Sequence, residues 1–442
     1  MTASPWQEVL LEDVADDVTV GHVGSMADEY VVSGVPFLRS LNVEPYGIAL
    51  RDLKFISPKF HSKLRKSVLH PGDVVIVRTG RPGACTVIPD SLPEANCSDL
   101  VIVRCGPLLN PHYLSYFVNS VACAHIDAHL VGAVQQHFNI GSARKLKLAL
   151  PSLAEQDRIV EVLGSLDNKI DLNRRMNETL EAMVRAIFKD WFVDFGPVRA
   201  KAEGHPPPGL SPDFAALFPD ALDDEDKPER WKTTKLGAVC CRVAMGPFGS
   251  DITTDNFVDE GVPVIRGGNL KNGFVDEGFV FVTNEKATSL KNANAFSGDI
   301  VLTHRGTLGQ VGVIPQKSRF QRYVVSQSQM LLSANTDVVS SRFLFEFLRS
   351  PSGVNQLLAN TSQTGVPAIS RPTTSLKAIE IMIPPIVVIE AFDQVIAPLA
   401  ERISANIEES RTLAQLRDLL LPKLMSGEIR LKDAEKAVEA VA

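Results

Sequence analysis

Short apolar runs, cut by glycine and proline, fill residues 1–150. Val74-Val-Ile-Val77 and Leu100-Val-Ile-Val103 are unbroken and predict strands buried on both faces. Leu146, Leu148 and Leu150 alternate with Lys145, Lys147 and Ala149, the period of a half-exposed strand. Pro71-Gly, Pro82-Gly and Gly106-Pro are turn signals. Residues 111–121 predict a helix with Asn110 as its N-cap and Pro111 in its first position. From residue 153 the pattern changes. Leu163, Leu166, Ile170, Asn173, Asn177, Leu180, Val184, Ile187 and Trp191 fall at steps of three and four, a heptad seam. Gly164-Ser165 predicts a break after a short first helix, with Ser165 capping a long one over residues 165–194, about 45 Å at 1.5 Å per residue.

The whole pattern then returns. Val35-Pro-Phe-Leu-Arg39 reappears as Val262-Pro-Val-Ile-Arg266, Gly72-Asp-Val-Val-Ile76 as Gly298-Asp-Ile-Val-Leu302, and Trp6 as Trp231, at offsets of 225 to 227 residues. Ile379, Ile381 and Ile383 repeat the alternating strand. Ile396, Leu399, Ile403, Asn406, Ser410 and Leu413 repeat the seam, and Pro398 falls where Ser165 stood. Because proline is tolerated in a helix's first turn, the second long helix is expected to begin there. A period this long means two copies of a domain rather than a solenoid.

The reading is α+β: two duplicated, β-rich mixed domains and two long helices, related by a pseudo-twofold. The boundaries are a first domain over residues 1–152, a helical region over 153–196, and a Pro-rich acidic linker over 197–228. A second domain follows over 229–384, a second helical region over 385–427 and a polar, partly frayed tail over 428–442. The linker carries His205-Pro-Pro-Pro-Gly and Asp223-Asp-Glu-Asp226 and is expected to be irregular, apart from a short helix at 214–218. Each seam needs an apolar partner, and packing the two helices as an antiparallel coiled coil supplies it. That arrangement sets the polar seam positions Asn173 and Asn177 against Asn406 and Ser410, where they would fix register. It also sets the two domains at opposite ends of a rod.

Composition narrows the function. The chain of 442 residues has a net charge of −7, which excludes a purely electrostatic nucleic-acid binder but not local basic faces. Six cysteines show no CxxC pair and no zinc spacing, and read as free thiols of a cytoplasmic protein. No apolar run reaches the roughly 20 residues that span a membrane.

Several segments carry a family likeness. Pro151-Ser-Leu-Ala-Glu-Gln156-Asp-Arg-Ile159, Leu166-Asp-Asn-Lys-Ile-Asp-Leu-Asn-Arg-Arg-Met-Asn-Glu-Thr-Leu180, Trp191-Phe-Val-Asp-Phe195 and Leu421-Pro-Lys-Leu-Met-Ser-Gly-Glu428 resemble the specificity subunit of Type I restriction–modification enzymes. The resemblance implies two target-recognition domains, each reading half of a split asymmetric DNA site. It implies helices that act as spacer and as docking surface for two methyltransferase (modification) subunits, with restriction subunits able to join. The chain itself would be non-catalytic and bind no cofactor, the partner subunits bringing AdoMet and flipping out an adenine. Pro385-Ile-Val-Val-Ile-Glu-Ala-Phe392 lacks the Glu-Gln pair of the first copy, so the two docking surfaces need not match. A rod of about 45 Å exceeds one DNA turn of about 34–36 Å, which implies half-sites divided by an unspecified spacer.

Candidate DNA contacts follow from side-chain chemistry. Arg51, Lys54, Lys59, His61, Lys63, Arg65 and Lys66 outnumber the single acid Asp52 and suit phosphates. Arg78 and Arg81, with His304, Arg305 and Thr307, follow the repeated Gly-Asp strands, where arginine could meet a guanine edge. Gln135, Gln136 and His137, and Gln363 and Thr364, precede the alternating strands and offer amide polarity for base edges. Arg39 with Asn42, and Arg266 with Asn269, recur in both copies and therefore suit phosphate contact or structure rather than sequence reading. Enzyme motifs are weak: no GxxxxGK[ST] occurs, Asn110-Pro-His-Tyr113 lacks an amino-methyltransferase's second proline, and Pro219-Asp220 with Glu225-Asp-Lys227 is a poor nuclease match in an acidic linker. The competing readings are a coiled-coil scaffold without DNA and a cryptic metal-dependent nuclease.

Overall fold

The computed structural model describes residues 6–128, 137–247, 249, 251–271, 273–362 and 365–440. Two compact units divide the chain inside both long helices: residues 1–176 with 405–442, and residues 177–404. Composition suggests cuts at the ends of the helices instead. The physical cause is burial, because each helix half contributes its apolar stripe to the core of one unit.

In the first unit a four-stranded antiparallel sheet runs in the order Cys85–Val87, Val74–Val77, Leu100–Cys105, Ala15–Val20. A five-stranded sheet runs Tyr30–Val31, Lys54–Ile56, Val35–Leu38, Ala95–Cys97, Val68–Leu69, with its third and fourth strands parallel. The unbroken apolar runs are explained by two covered faces. Val75, Val77, Leu100 and Ile102 meet Leu38, Leu69 and Cys97 of the five-stranded sheet. Val74, Ile76, Val101 and Val103 meet the helix Pro111–Ser120 and the long-helix residues Ile159, Leu163, Leu420, Leu421 and Leu424. Asn110 caps the helix as predicted, its side-chain oxygen accepting from the backbone N–H of His112 and Tyr113.

The second unit repeats both sheets strand for strand. Val311–Val313, Ile300–Thr303, Gln329–Ala334 and Cys240–Met245 form the four-stranded sheet. Phe257–Val258, Val280–Val282, Val262–Ile265, Tyr323–Val325 and Asn294–Ala295 form the five-stranded one, again with one parallel pair. Its core is more aromatic, with Phe188, Trp191, Phe192, Phe343 and Phe392 within ring-contact distance.

The first long helix runs Leu153–Phe192 without interruption, so no break occurs at Gly164-Ser165. Gly164 costs a helix interior about 1 kcal/mol, but Leu163 and Leu166 beside it are fully buried and hold the turn. Ser165 caps nothing, its hydroxyl donating back to the Val162 carbonyl at 2.7 Å. The second long helix, Ile386–Ser426, likewise runs through Pro398 rather than starting there. Pro398 and Gln394 are both exposed, so the carbonyl that the proline leaves unpaired faces solvent. Phe392 and Ile396, both 0 % exposed, anchor the helix on its other side.

Within each unit the helix halves pair antiparallel. In the first, Asn173 Nδ2 donates to Glu409 Oε2 at 2.7 Å, and Asp167, earlier in its helix, meets Arg417, later in the other. In the second, Asn177 Nδ2 donates to the Ile403 carbonyl at 3.4 Å, while Phe188 meets Phe392. Asn173 and Asn406 are buried in the seam, whereas Asn177 and Ser410 are half-buried.

Two segments expected to be irregular are ordered. The linker holds the helices Gly196–Ala202 and Pro212–Ala215, and its Val198 and Phe218 are buried in the second unit's core. The tail forms the helix Leu431–Glu439, with Ala434 buried and Glu435 paired to Arg158 at 2.7 Å. In both cases apolar side chains spaced among polar ones found a core to enter.

Candidate DNA interface

The repeated Gly-Asp pairs build turns. Gly72 and Gly298 adopt φ of +88° and +87°, which favours glycine. The following Asp73 and Asp299 accept from the backbone N–H of His70 and Phe296, both at 2.9 Å. These residues therefore fix the frame on which the next loop is carried.

That loop joins Val74–Val77 to Cys85–Val87, and Ile300–Thr303 to Val311–Val313. Gly80 and Gly83 match Gly306 and Gly309, all four at positive φ. The first loop residue is drawn inward in both copies. Arg78 donates to the Phe138 carbonyl and to Asp99, whose other oxygen accepts from Thr79. His304 is 7 % exposed, its Nε2 3.1 Å from the Gln327 carbonyl, and burial lowers its pKa, leaving it neutral at pH 7. Arg78 and His304 are thus tethers, not the DNA-facing groups the sequence suggested. Arg81, Arg305 and Thr307 do remain exposed.

For Asn42 and Asn269, left between phosphate contact and structure by the sequence, the geometry favours structure. Both are buried, and their side chains serve their own loops. Asn42 Oδ1 accepts from Arg39 N, and its Nδ2 donates to the Ala49 and Arg51 carbonyls. Asn269 does the same with Arg266 N, Val275 and Glu277. Nothing is left over for a phosphate. Arg39 is held by Asp52, and the Arg39 hydrogen bond keeps the Asp52 carboxyl below the usual range.

The basic stretch occupies the strand Lys54–Ile56, the short helix Pro58–His61 and the turn Arg65–Ser67. Lys59, Lys63, Arg65 and Lys66 are exposed and have no ion-pair partner among the described residues. Arg51 lies 3.7 Å from Glu44, Lys54 3.0 Å from Asp52, and His61 2.8 Å from Glu94. The second unit has the same elements, Val280–Val282, Asn284–Ser289 and Lys291–Ala293, but there the charges are mixed, with Glu285 among Lys286 and Lys291. A buried asparagine amide closes each helix: Asn96 onto the Leu64 carbonyl, and Asn294 onto those of Ala287 and Leu290.

In the second unit a cleft of about 480 Å³ opens beside the glycine loop. Arg266, Lys271, Arg305, Thr307, Gln310 and Gln327 line it, and none of its lining residues is a carboxylate. Lys271, Gln310 and Gln327 were missed in the sequence because no spacing links them; the sheet brings them together. Gln135, Gln136, Gln363 and Thr364 lie outside the described residues. His137 is half-buried at the edge of that region, next to Phe138, whose N–H bonds the Arg78 carbonyl.

A duplicated two-sheet domain, each copy carrying variable polar loops on a shared frame and packed against half of a long helical pair, defines a class of DNA-recognition proteins. The chain belongs to the family described as type I restriction modification DNA specificity domain, whose sequence model matches residues 4–182 and 228–417. It is the non-catalytic DNA specificity subunit of such a system, which sets aside the scaffold and nuclease alternatives. It is 27% identical over 333 residues to the Type I restriction enzyme HindI specificity subunit of Haemophilus influenzae, covering 65% of this chain and 70% of that one. It is 25% identical over 435 residues to the MjaIX specificity subunit of Methanocaldococcus jannaschii, covering 97% and 94%. Among solved structures, the S subunit of the Type I system from M. genitalium aligns with a TM-score of 0.47 at 13% identity, over 96% of this chain and 97% of that one.

Proposed function

We propose that each domain of this subunit reads one half of a split, asymmetric duplex site, and that the paired helices dock two methyltransferase subunits over the bases to be modified. AdoMet then binds the partners and not this chain, and restriction subunits join the complex to cut. Such a complex works in the cytoplasm, where the DNA lies. The observation that carries this reading is the contrast between a constant frame and variable side chains. Strand order, turn aspartates and loop glycines agree between the copies. The exposed groups on that frame do not: Arg81 against Thr307, and Lys59, Lys63, Arg65 and Lys66 against Glu285, Ser289, Lys291 and Asn292. Two readers that share a scaffold and differ in what they display suit two unlike half-sites.

The test is selection from a random-sequence duplex pool by the full chain co-purified with its modification subunits. Two specified blocks divided by unspecified base pairs are expected. Arg81→Ala should alter one block and Arg305→Ala the other. A single block, or one variant altering both, would overturn independent reading.

A further inference from the structure

The cleft of the second domain ends in a hydrogen-bonded relay that the first domain does not have. The Ser326 hydroxyl donates to Gln329 Oε1. Gln329 Nε2 donates to Thr303 Oγ1 at 3.2 Å, and the Thr303 hydroxyl donates to Gln310 Oε1 at 3.0 Å. Each link uses one donor and one acceptor, so the relay has a direction. It fixes the Gln310 amide with its oxygen engaged inside and its Nε2 without an acceptor among the described residues.

The duplication supplies an internal control. Thr303 and Gln329 pair across neighbouring strands, and in the first domain that same cross-strand pair is Val77 and Leu100. Thr303 N bonds the Gln310 carbonyl, as Val77 N bonds that of Ala84. Val77, Leu100 and Ala84 are buried and form ordinary core. The fold therefore needs no polar groups here. Thr303 and Gln329 are nonetheless 2 % and 1 % exposed, and burying such groups is costly unless each is satisfied. A relay that the architecture does not require, ending at a cationic cleft without carboxylates, points to a ligand.

We propose that Gln310 is a specificity-determining residue of the second domain. Resting on the DNA-reading function above, its amide donates to the keto oxygen of a guanine or thymine in the major groove, while Arg266 and Lys271 hold the adjacent phosphates. Guanine O6 and thymine O4 accept hydrogen bonds there, whereas cytosine and adenine present amino donors. With its oxygen engaged by Thr303, the amide discriminates against those amino groups.

The full chain, co-purified with its modification subunits, is to be tested against a random-sequence duplex pool and then against single-base variants of its selected site. Gln310→Ala installs the residue that the first domain carries at this point, so the fold should hold. Discrimination at one position of one block should fall roughly tenfold, with the other block unchanged. Gln310→Glu should shift that position towards cytosine or adenine. Thr303→Val, again the first domain's residue, should relax the same position by freeing the amide to turn. If these variants weaken all sequences equally and lower the salt dependence, the group meets a phosphate and the proposal fails. If affinity and preference are unchanged, Gln310 makes no contact and the proposal also fails. Loss of DNA binding by the unaltered chain would instead defeat the DNA-reading function itself.

Discussion

Arg104 and Arg242 reach equivalent aspartates from opposite members of one cross-strand pair. In the first domain Arg104 stands opposite Asp17 and bonds it at 2.7 Å, with Asp73 3.7 Å away. In the second the pair is Ser333 and Arg242, and the arginine bonds Asp299 at 2.7 Å. The guanidinium has changed strands while its carboxylate has not, so what is retained is the charge beside the turn.

Asp299 accepts from Phe296 N, the Ser333 hydroxyl and Arg242 while almost fully buried. Asp299→Ala should cost about 3 kcal/mol by stranding that arginine. Urea denaturation of the full chain measures it, and a loss below about 1 kcal/mol would show the pair to be ornamental.

Asn42→Ala should destabilise the first domain by about 1–3 kcal/mol, because the backbone groups it serves lose their partner. The slope of log affinity for DNA against log salt should stay unchanged in the folded variant. A smaller slope would return Asn42 to the phosphate surface.

Replacing Lys59, Lys63, Arg65 and Lys66 together by alanine should leave stability nearly unaltered, since all four are exposed. DNA affinity should fall for every sequence, and the salt slope should drop by about 0.9 for each phosphate no longer neutralised. An unaltered slope would show that this face points away from the duplex.

Arg417 bonds Asp167 at 2.7 Å, stacks 4.8 Å from the Tyr46 ring and shares Asp167 with the Tyr116 hydroxyl. Arg417→Ala should cost the first unit about 3 kcal/mol. Arg417→Lys should recover only part, because an ammonium cannot span Asp167 and Asp418 together. Equal stability of the two variants in denaturant titrations would refute the bidentate role.

Burial raises the pKa of Glu346, with Arg349 opposing it. The folded state then holds the proton more tightly than the unfolded chain. Stability must fall as pH rises from the ordinary glutamate range through the raised value. Glu346→Gln removes that loss, so its melting temperature relative to the unaltered chain should be higher at pH 7 than at pH 4.5. The reverse order would place the charge in a stabilising pair.

The sequence carried the duplication, the seams and the buried strands, because each is written in apolar periodicity at constant offset. It misplaced the helix starts because Gly164 and Pro398 are local signals outweighed by Leu163, Phe392 and Ile396 beneath them. It left Asn42 and Asn269 between phosphate contact and structure, and it turned Arg78 and His304 towards DNA where the structure has them holding loops. Whether a polar side chain turns outward or ties down its own loop depends on partners such as Asp99 and Gln327, which are distant in sequence. The relay from Ser326 to Gln310 joins two strands and two loops, and no linear spacing announces it.

The first unit is completed by residues far from its start. Its core takes in Leu420, Leu421, Leu424, Met425 and Ala434, and the whole of residues 177–404 lies between them and the sheets they cover. During synthesis that face of the sheets, already covered in part by Pro111–Ser120 and the first long helix, lacks its last apolar layer until the second unit has been made. A chain broken off early would therefore carry an intact second reader and an unfinished first one. The helices Ile386–Ser426 and Leu431–Glu439 thus act as a seal on the first reader.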